Sequence, residues 1–136
     1  MTSAALALQQ SLFATLTADA PLIAVLGAPR IHDSVPQAET FPYVTFGQST
    51  VRAADTATES GDEHIVTLHV WSRAKGRREA YTIIDALRSA LHDQPLALTG
   101  HHLVNLRHEF SEARSDPDGE TIHGIARFRA VTEPLP

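Results

Sequence analysis

The segment EHIVTLHVWSR (Glu63–Arg73) constrains the fold more than any other part of the chain. Successive side chains of a β-strand point to opposite sides of a sheet, so these residues divide into two faces. The first face is aliphatic and consists of Val66, Leu68 and Val70. The second face consists of Ile65, Thr67, His69 and Trp71. The segment therefore predicts a strand with one face in the core and a second face covered by a ligand or by another protein copy.

Three other segments predict helices. In residues 3–17, leucines recur at every fourth position, which is typical of an amphipathic helix. The predicted apolar stripe comprises Ala5, Leu8, Leu12, Phe13 and Leu16. Asp19 is a suitable cap for a second, short helix that ends before Gly27. Residues 76–93 have the clearest helical spacing of apolar side chains.

Two more strands are predicted ahead of Glu63–Arg73, at residues 30–37 and 41–50. Between the second of them and Glu63 the chain is small, polar and acidic. We interpret residues 51–63 as a long hairpin loop, longer than a compact hairpin needs. Loops of this length are often functional.

The last third of the chain predicts a β-hairpin whose turn lies around SDPDG (Ser115–Gly119). Centring the turn on Pro117 pairs Leu106 with Phe128, Val104 with Ala130 and Phe110 with Gly124. This register places an apolar set on the core face: Val104, Leu106, Phe110, Ile122, Ala126 and Phe128. It leaves a polar set rich in arginine on the other face: Asn105, Arg107, Glu109, His123, Arg127 and Arg129.

The predicted element order is α-α-β-β-β-α-β-β, with no internal repeat and no linker between two cores. Because hairpins dominate, we expect a mainly antiparallel sheet with the helices packed on one face. A length of 136 residues suits one domain with one core. The sequence thus predicts a single α+β domain over residues 1–136.

Composition excludes several classes of protein. The chain has no Cys, so disulfides, cysteine-ligated zinc and thiol catalysis are excluded. Its net charge of −5 disfavours tight nucleic-acid binding, which needs clustered Lys and Arg. No apolar run approaches the roughly 20 residues of a membrane span, and no basic segment precedes the first apolar stretch. We expect neither a membrane span nor a signal peptide.

The eight histidines raise the hypothesis of a metal centre. His101 and His102 are adjacent, so on a strand they point to opposite faces, and no HExxH motif is present. Nucleophile elbows and phosphate-binding glycine loops are also missing, and DPDGE lacks the spacing of a calcium loop. We therefore assign no catalytic residue, no metal ligand and no cofactor. A small His-dependent metal-binding enzyme remains the alternative from a different class.

A protein contact suits the second sheet face better, because Trp and Arg are enriched at the centres of interfaces. The candidate interface residues on the sheet are His69, Trp71, Arg107, Arg127 and Arg129. The candidates in the loop segment are Thr56, Glu59 and Asp62. For Trp71 a second interpretation stays open, in which the indole packs under one of the chain's own helices.

Seven segments occur in an order that points to a known family. They are LQQSLFATLTADAPLIAVLG with RIHDSVPQ, FPYVTFG, EHIVTLHVWSR, GRREAYTIIDAL, LALTGHHLV and DPDGETIHGIARFRAV. With these segments the chain resembles the tail-completion, or tail-terminator, proteins of long-tailed phages and of phage-like gene transfer agents. FPYVTFG, HVWSR and HGIARFRA together are the specific part, and the resemblance covers about residues 8–131.

The resemblance implies a structural role without catalytic residues. Such proteins form a hexameric ring at the head-proximal end of the tail tube, stop tube polymerisation and join the tail to the head. The implied partners are further copies of the chain, the tail tube protein and a head-completion or connector protein. DNA would pass through the lumen without specific binding, and the loop at residues 51–63 would reach the tube or the connector.

The location that the resemblance implies is the virion, at the head–tail junction, after assembly in the bacterial cytoplasm. A head-completion or stopper protein at the same junction is the alternative within this class.

Overall fold

The computed structural model describes residues Thr2–Pro136, which form helices on one side of a single sheet. In chain order the elements are α1 (Ala4–Thr17), α2 (Ala20–Leu26), β1 (Ile31–His32), β2 (Tyr43–Ala53), β3 (Asp62–Ser72), α3 (Arg78–Leu91), β4 (His101–Ser115) and β5 (Ile122–Pro134). The predicted element order and α+β class are confirmed. None of the helices in Thr2–Pro136 is both long and apolar enough to cross a membrane.

Capping residues set the boundaries of the first two helices. The Ser3 hydroxyl accepts a hydrogen bond from the Leu6 N–H at 3.1 Å, at the start of α1. The Asp19 carboxylate accepts one from the Leu22 N–H, also at 3.1 Å, at the start of α2. Gly27 ends α2 with φ at +86°, a conformation that costs little only for glycine.

The sheet has the strand order β1-β2-β3-β5-β4, in which β1 runs parallel to β2 and the other pairs are antiparallel. The strand predicted at residues 30–37 is reduced to Ile31 and His32. The chain turns away before Pro36, which has no N–H to donate to a neighbouring strand. Because β1 pairs only with Val44 and Thr45, no strand of residues 2–136 lies beside the rest of β2 on that edge.

All three helices contribute to a core on one face of the sheet. Its largest fully buried side chain is Phe128, and the aliphatic face of β3 packs beside it against the helices. Gly124 lets α3 approach the sheet closely, since a Cβ there would lie 3.1 Å from both the Ile84 Cδ1 and the Val70 Cβ. The helices therefore cover the aliphatic face of β3 and leave its second face free.

Helix α1 contains no charged residue, although one side of it faces solvent. Its buried side chains are Ala4, Ala7, Leu8, Leu12 and Leu16. Ala5 and Phe13 were predicted on this stripe, but both are exposed, Phe13 at 43%, as is Leu6 at 48%. The buried side of α1 is only one or two residues wide in each turn, and Phe13 lies outside it.

The register of the last hairpin differs from the predicted one. Leu106 lies opposite Ala130, and Phe110 lies opposite Arg127. Two bulges in β4 insert one extra residue each, and an extra residue reverses which face the following side chains occupy. Val104 and Phe110 are therefore 46% and 39% exposed, and their predicted core positions were wrong.

The β2–β3 hairpin also has longer strands than the sequence suggested. Residues 51–53 and 62–63, predicted as loop, pair in the strands, because backbone pairing does not require apolar side chains. The remaining loop is residues 54–61, which we call the tip loop. The Ala54 N–H donates to the Gly61 carbonyl at 2.8 Å and closes the hairpin at its base.

Candidate functional site

The face of the sheet opposite the helices, here called the open face, carries most of the candidate residues. The strand registers place these side chains on it: Tyr43, Thr45, Thr50, Arg52, Glu63, Ile65, Thr67, His69, Trp71, Asn105, Arg107, Phe110, Glu112, Arg114, His123, Ile125, Arg127, Arg129 and Val131. No helix of residues 2–136 lies over this face. Trp71 therefore does not pack under the chain's own helices, which removes one of the two interpretations of this residue.

Trp71 is the centre of a stacked aromatic cluster at one end of the open face. Its indole stacks on the His123 imidazole with a centroid distance of 4.1 Å and an interplanar angle of 6°. His69 stacks beside it, and its Nδ1 lies 2.6 Å from the His123 Nε2 in a hydrogen bond. The Trp71 Nε1–H donates to the Thr45 hydroxyl at 3.0 Å. The cluster is thus a pre-ordered, half-buried platform of flat rings.

The two imidazoles of the platform favour their neutral forms. Burial lowers the pKa of His69 below 6.5, and the neighbouring His123 and Arg114 lower it further. Burial is also the main cause that lowers the pKa of His123. In a hydrogen bond between two neutral imidazoles one ring donates and the other accepts. The pair is therefore intact at neutral pH and loses this arrangement when both rings are protonated.

Arginines occupy the middle of the open face. Arg129 binds Glu63, with its Nη2 2.7 Å from the Glu63 Oε2. Arg107 lies directly opposite Arg129 and has its own carboxylate, since its Nε is 3.3 Å from an oxygen of Asp93. Each of these two like charges is thus paired with an acid. The arginine strip is polar but not strongly positive.

Arg127 differs from the other two arginines because its guanidinium lies 5.2 Å above the centroid of the Phe110 ring. Beside it is a shallow hollow of about 180 Å³ in the centre of the open face. The hollow is lined by Gln48, Thr50, Ile65, Thr67 and Arg127. It has room for one or two side chains of a partner protein.

The three remaining candidate residues lie elsewhere. Thr56 and Glu59 are in the tip loop, where the Thr56 hydroxyl accepts a hydrogen bond from the Glu59 N–H at 3.0 Å. Asp62 is the first residue of β3. A hydrogen bond between the Glu133 carboxyl and the neighbouring Glu59 carboxylate, in which the protonated Glu133 is the donor, is the main cause that raises the pKa of Glu133. The candidates therefore form two separate groups, five on the open face and three at the acidic end of the hairpin.

Sequence reasoning placed His123 on the polar face but did not connect it with Trp71. The two histidines of the platform are 54 positions apart, and Trp71 is 26 positions from Thr45. Only the pairing of β3 with β5 brings these side chains together, and nothing in the sequence indicates that β5 inserts between β3 and β4. Phe110 was missed because it was assigned to the core.

The positions of the His, Asp and Glu side chains bear on the hypothesis of a metal centre. In the part of the chain that the structure describes, no group of three or more His, Asp or Glu side chains is placed to hold a metal ion. The facing nitrogens of His69 and His123 are 2.6 Å apart, a hydrogen-bond distance too short to admit a metal between them. These residues offer no ligand set for the His-dependent enzyme considered above.

Comparison with solved structures places the chain in a class, the components of virions and related particles. A chain in a structure described as the virion of a native gene transfer agent particle has a TM-score of 0.89 and 30% identity to this chain. The similarity covers 98% of this chain and 99% of that one. The structure of the bacteriophage SPP1 gp17 protein has the same fold, with a TM-score of 0.62 at 24% identity over 96% of this chain and 89% of that one.

Sequence comparison narrows the class to one family. The family model for the tail completion protein gp17 matches residues 10–133. The tail completion protein gp17 of Bacillus phage SPP1 is 28% identical over 123 residues, which are 90% of each chain. The chain belongs to the tail completion protein gp17 family, and the resemblance found in the sequence is confirmed.

Proposed function

We propose that the chain forms a ring, hexameric by the family resemblance, at the head-proximal end of a tail tube. There it terminates tube polymerisation and joins the tail to the head. The observation that carries this proposal is the near full-length match to a chain of a gene transfer agent virion, together with membership of the tail completion family. The protein accordingly resides in the virion at the head–tail junction, after assembly in the bacterial cytoplasm.

The open face supports the proposal, because it has the composition of an interface core. A Trp with a pre-ordered stack costs little conformational entropy on binding, and Arg127 has a free guanidinium beside a hollow. We assign His69, Trp71, Arg107, Arg127 and Arg129 to a contact with a neighbouring subunit or a junction partner. A ring is built from heterologous contacts, so each subunit needs at least two different surfaces.

The tip loop supplies a second surface, separate from the open face. It carries Thr56 and Glu59, and Asp62 follows it at the start of β3. We assign these three residues to contacts within the junction. The tail tube protein and a head-completion or connector protein are the other partners, and DNA passes through the lumen without specific binding.

Deleting the gene and imaging the particles by negative-stain electron microscopy tests the proposed function. We expect filled heads without tails beside unattached or overlong tubes. Complementation with the wild-type gene is the control for the deletion itself. Complete particles with tails of normal length would refute the proposal.

Complementation with a shortened hairpin then tests the tip loop. Residues 55–60 are replaced by Asn-Gly, which keeps the pairing of Ala54 with Gly61 and closes the strands with a two-residue turn. We expect a folded protein that no longer supports joining. Insertion of two Ser-Gly repeats after Pro36 serves as a matched control, since it lengthens an exposed loop away from the tip loop and the open face. Normal particle yield with the shortened hairpin would rule out a role for the loop.

A further inference from the structure

A cleft of about 550 Å³ lies at the opposite end of β3 from the tip loop. The β3–α3 connection forms one wall, and the β4–β5 turn forms the other. The first wall is basic, because four of the 11 Lys and Arg residues of the chain fall within residues 73–78. Arg73, Lys75 and Arg77 line the cleft, and Glu120 is the carboxylate among the lining residues.

The guanidinium of Arg73 is held in place by its neighbours. Its Nε donates to the Thr121 hydroxyl at 3.3 Å, and its Cζ lies 4.4 Å from the centroid of the Phe41 ring. Thr121 in turn donates to the Asp118 carboxylate at 2.6 Å, and this bond with two backbone N–H groups lowers the pKa of Asp118 to about 2. Arg73 is therefore positioned by a hydrogen-bond network that runs through Thr121 to the Asp118 carboxylate.

Arg77 is positioned in a similar way, by a hydrogen bond of 3.4 Å from its Nε to the Ala113 carbonyl. Both arginines thus use the Nε and leave the two terminal nitrogens for another partner. Among residues 2–136, neither guanidinium has a carboxylate oxygen within 4.0 Å. Two fixed guanidinium forks beside a cleft fit an oxyanion, which they can bind through two parallel N–H bonds.

The chain carries a matching set of oxyanions on its tip loop. Asp55 and Glu59 are exposed there among Ala, Thr and Ser residues, which are small enough to enter the cleft. Glu59 lies beside the Glu133 carboxyl, and among residues 2–136 no Lys, Arg or His nitrogen lies within 4.0 Å of its carboxylate. The eleven residues of β3 separate the loop from the cleft by about 35 Å, at a rise of about 3.3 Å each. A copy therefore cannot fill its own cleft.

We infer that the cleft of one copy binds the tip loop of a second copy, with Arg73 and Arg77 receiving the carboxylate of Glu59. The inference rests on the proposed ring, for which it supplies one heterologous contact. Cleft and loop are different surfaces, so the contact repeats from copy to copy until the ring closes. The net charge of −5 and the Glu120 carboxylate in the lining favour a short acidic loop over a DNA backbone as the occupant.

Charge exchange tests the contact in the purified protein. Glu59→Arg and Arg77→Glu each place like charges together, and we expect each to weaken self-association on the order of tenfold or more. The double variant restores an opposite-charge pair at positions 59 and 77 while Arg73 stays in the cleft, and it recovers part of the self-association. Asp85→Arg with Arg88→Glu, on the exposed side of α3, is the matched control. Sedimentation velocity over a concentration series measures the association.

Disulfide trapping gives an independent readout, because the chain has no native Cys. Glu59→Cys combined with Arg77→Cys should form a ladder of cross-linked species beyond the dimer under mild oxidation. Either single variant can give at most a dimer, and both serve as controls. A ladder in the double variant that neither single variant gives supports the contact between loop and cleft.

Three results would overturn the inference. The first is self-association that the charge variants leave unchanged, and the second is the absence of a cross-linked ladder in the double Cys variant. The third is a wild-type chain that stays monomeric at every concentration. Loss of duplex DNA retention in Arg73→Glu with Arg77→Glu, without loss of association, would instead make the cleft a phosphate site. None of these results decides the proposed tail function, which the gene deletion tests separately.

Discussion

Replacing Trp71 with alanine separates an interface role from a structural one. The substitution removes the indole from the platform and leaves the backbone of β3 paired on both sides. Two local interactions are lost, the hydrogen bond to Thr45 and the stacking on His123. Neither Thr45 nor His123 becomes trapped without a partner, since water can reach the emptied position on the open face.

The cost to the free subunit follows from these contacts. The hydrogen bond contributes about 0.5–1.5 kcal/mol, and the stacked pair contributes a similar amount, about 0.5–1.5 kcal/mol. With the partial burial of the ring, the free energy of unfolding should fall by about 2–3 kcal/mol, out of about 5–15 kcal/mol for a typical domain. For a domain of this length that lowers the Tm by about 6–15 °C. The variant therefore stays folded at 25 °C.

Two measurements on the same preparation decide the role of Trp71. Differential scanning fluorimetry gives the Tm, and light scattering after size exclusion gives the state of assembly. We expect Trp71→Ala to lose assembly at 25 °C while remaining folded, and Trp71→Phe to fall between it and the wild type. Tyr81→Ala is the control, because Tyr81 is 50% exposed on α3. Assembly equal to that of the wild type, with only a lower Tm, would refute an interface role.

Further predictions concern the rest of the sheet. Gly124→Val should lower the free energy of unfolding by about 1–3 kcal/mol, since its Cβ would lie 3.1 Å from core carbons; urea unfolding measures this. Arg127→Glu with Arg129→Glu should prevent assembly, and assembly unchanged in gel filtration would place both arginines in free solvent. The pKa values of His69 and His123 are lowered on folding, so the unfolded chain binds more protons below pH 6.5. Stability should therefore be complete above pH 6.5 and fall as the pH drops towards the folded values; replacing both histidines with Gln should flatten the dependence of the Tm on pH.

The sequence predicted those parts of the fold that local signals control. The cap Asp19 and the terminating Gly27 are where the residue types indicated, and the alternation in Glu63–Arg73 predicted both faces of β3 correctly. The helix at Arg78–Leu91 also followed from its apolar spacing. Such signals are short-range, so one chain segment contains all the information they need.

The parts that failed depend on long-range pairing. A bulge cannot be recognised from the alternation of apolar and polar residues. The prediction therefore missed the two extra residues of β4 and assigned Val104 and Phe110 to the wrong face. Part of the candidate surface could be predicted from the sequence, because Trp71 and the arginines were identified as residue types suited to an interface. The stacking of Trp71 on His123 could not be predicted from the sequence, since it depends on the pairing of β5 with β3 in the sheet.

The local stability of the β2–β3 hairpin decreases from the core towards the tip loop, because β2 has fewer neighbours there. Near Val44 the strand is buried and has neighbours on both edges, whereas residues 48–53 are exposed and pair on one edge alone. Local opening needs less free energy where few contacts must break, so amide hydrogens should exchange fastest towards the tip. The outer half of the β2–β3 hairpin can therefore bend while the part near Val44 stays packed against the core. In the contact proposed above, a hairpin that bends at its outer half can seat the tip loop in the cleft of a second copy without disturbing the core.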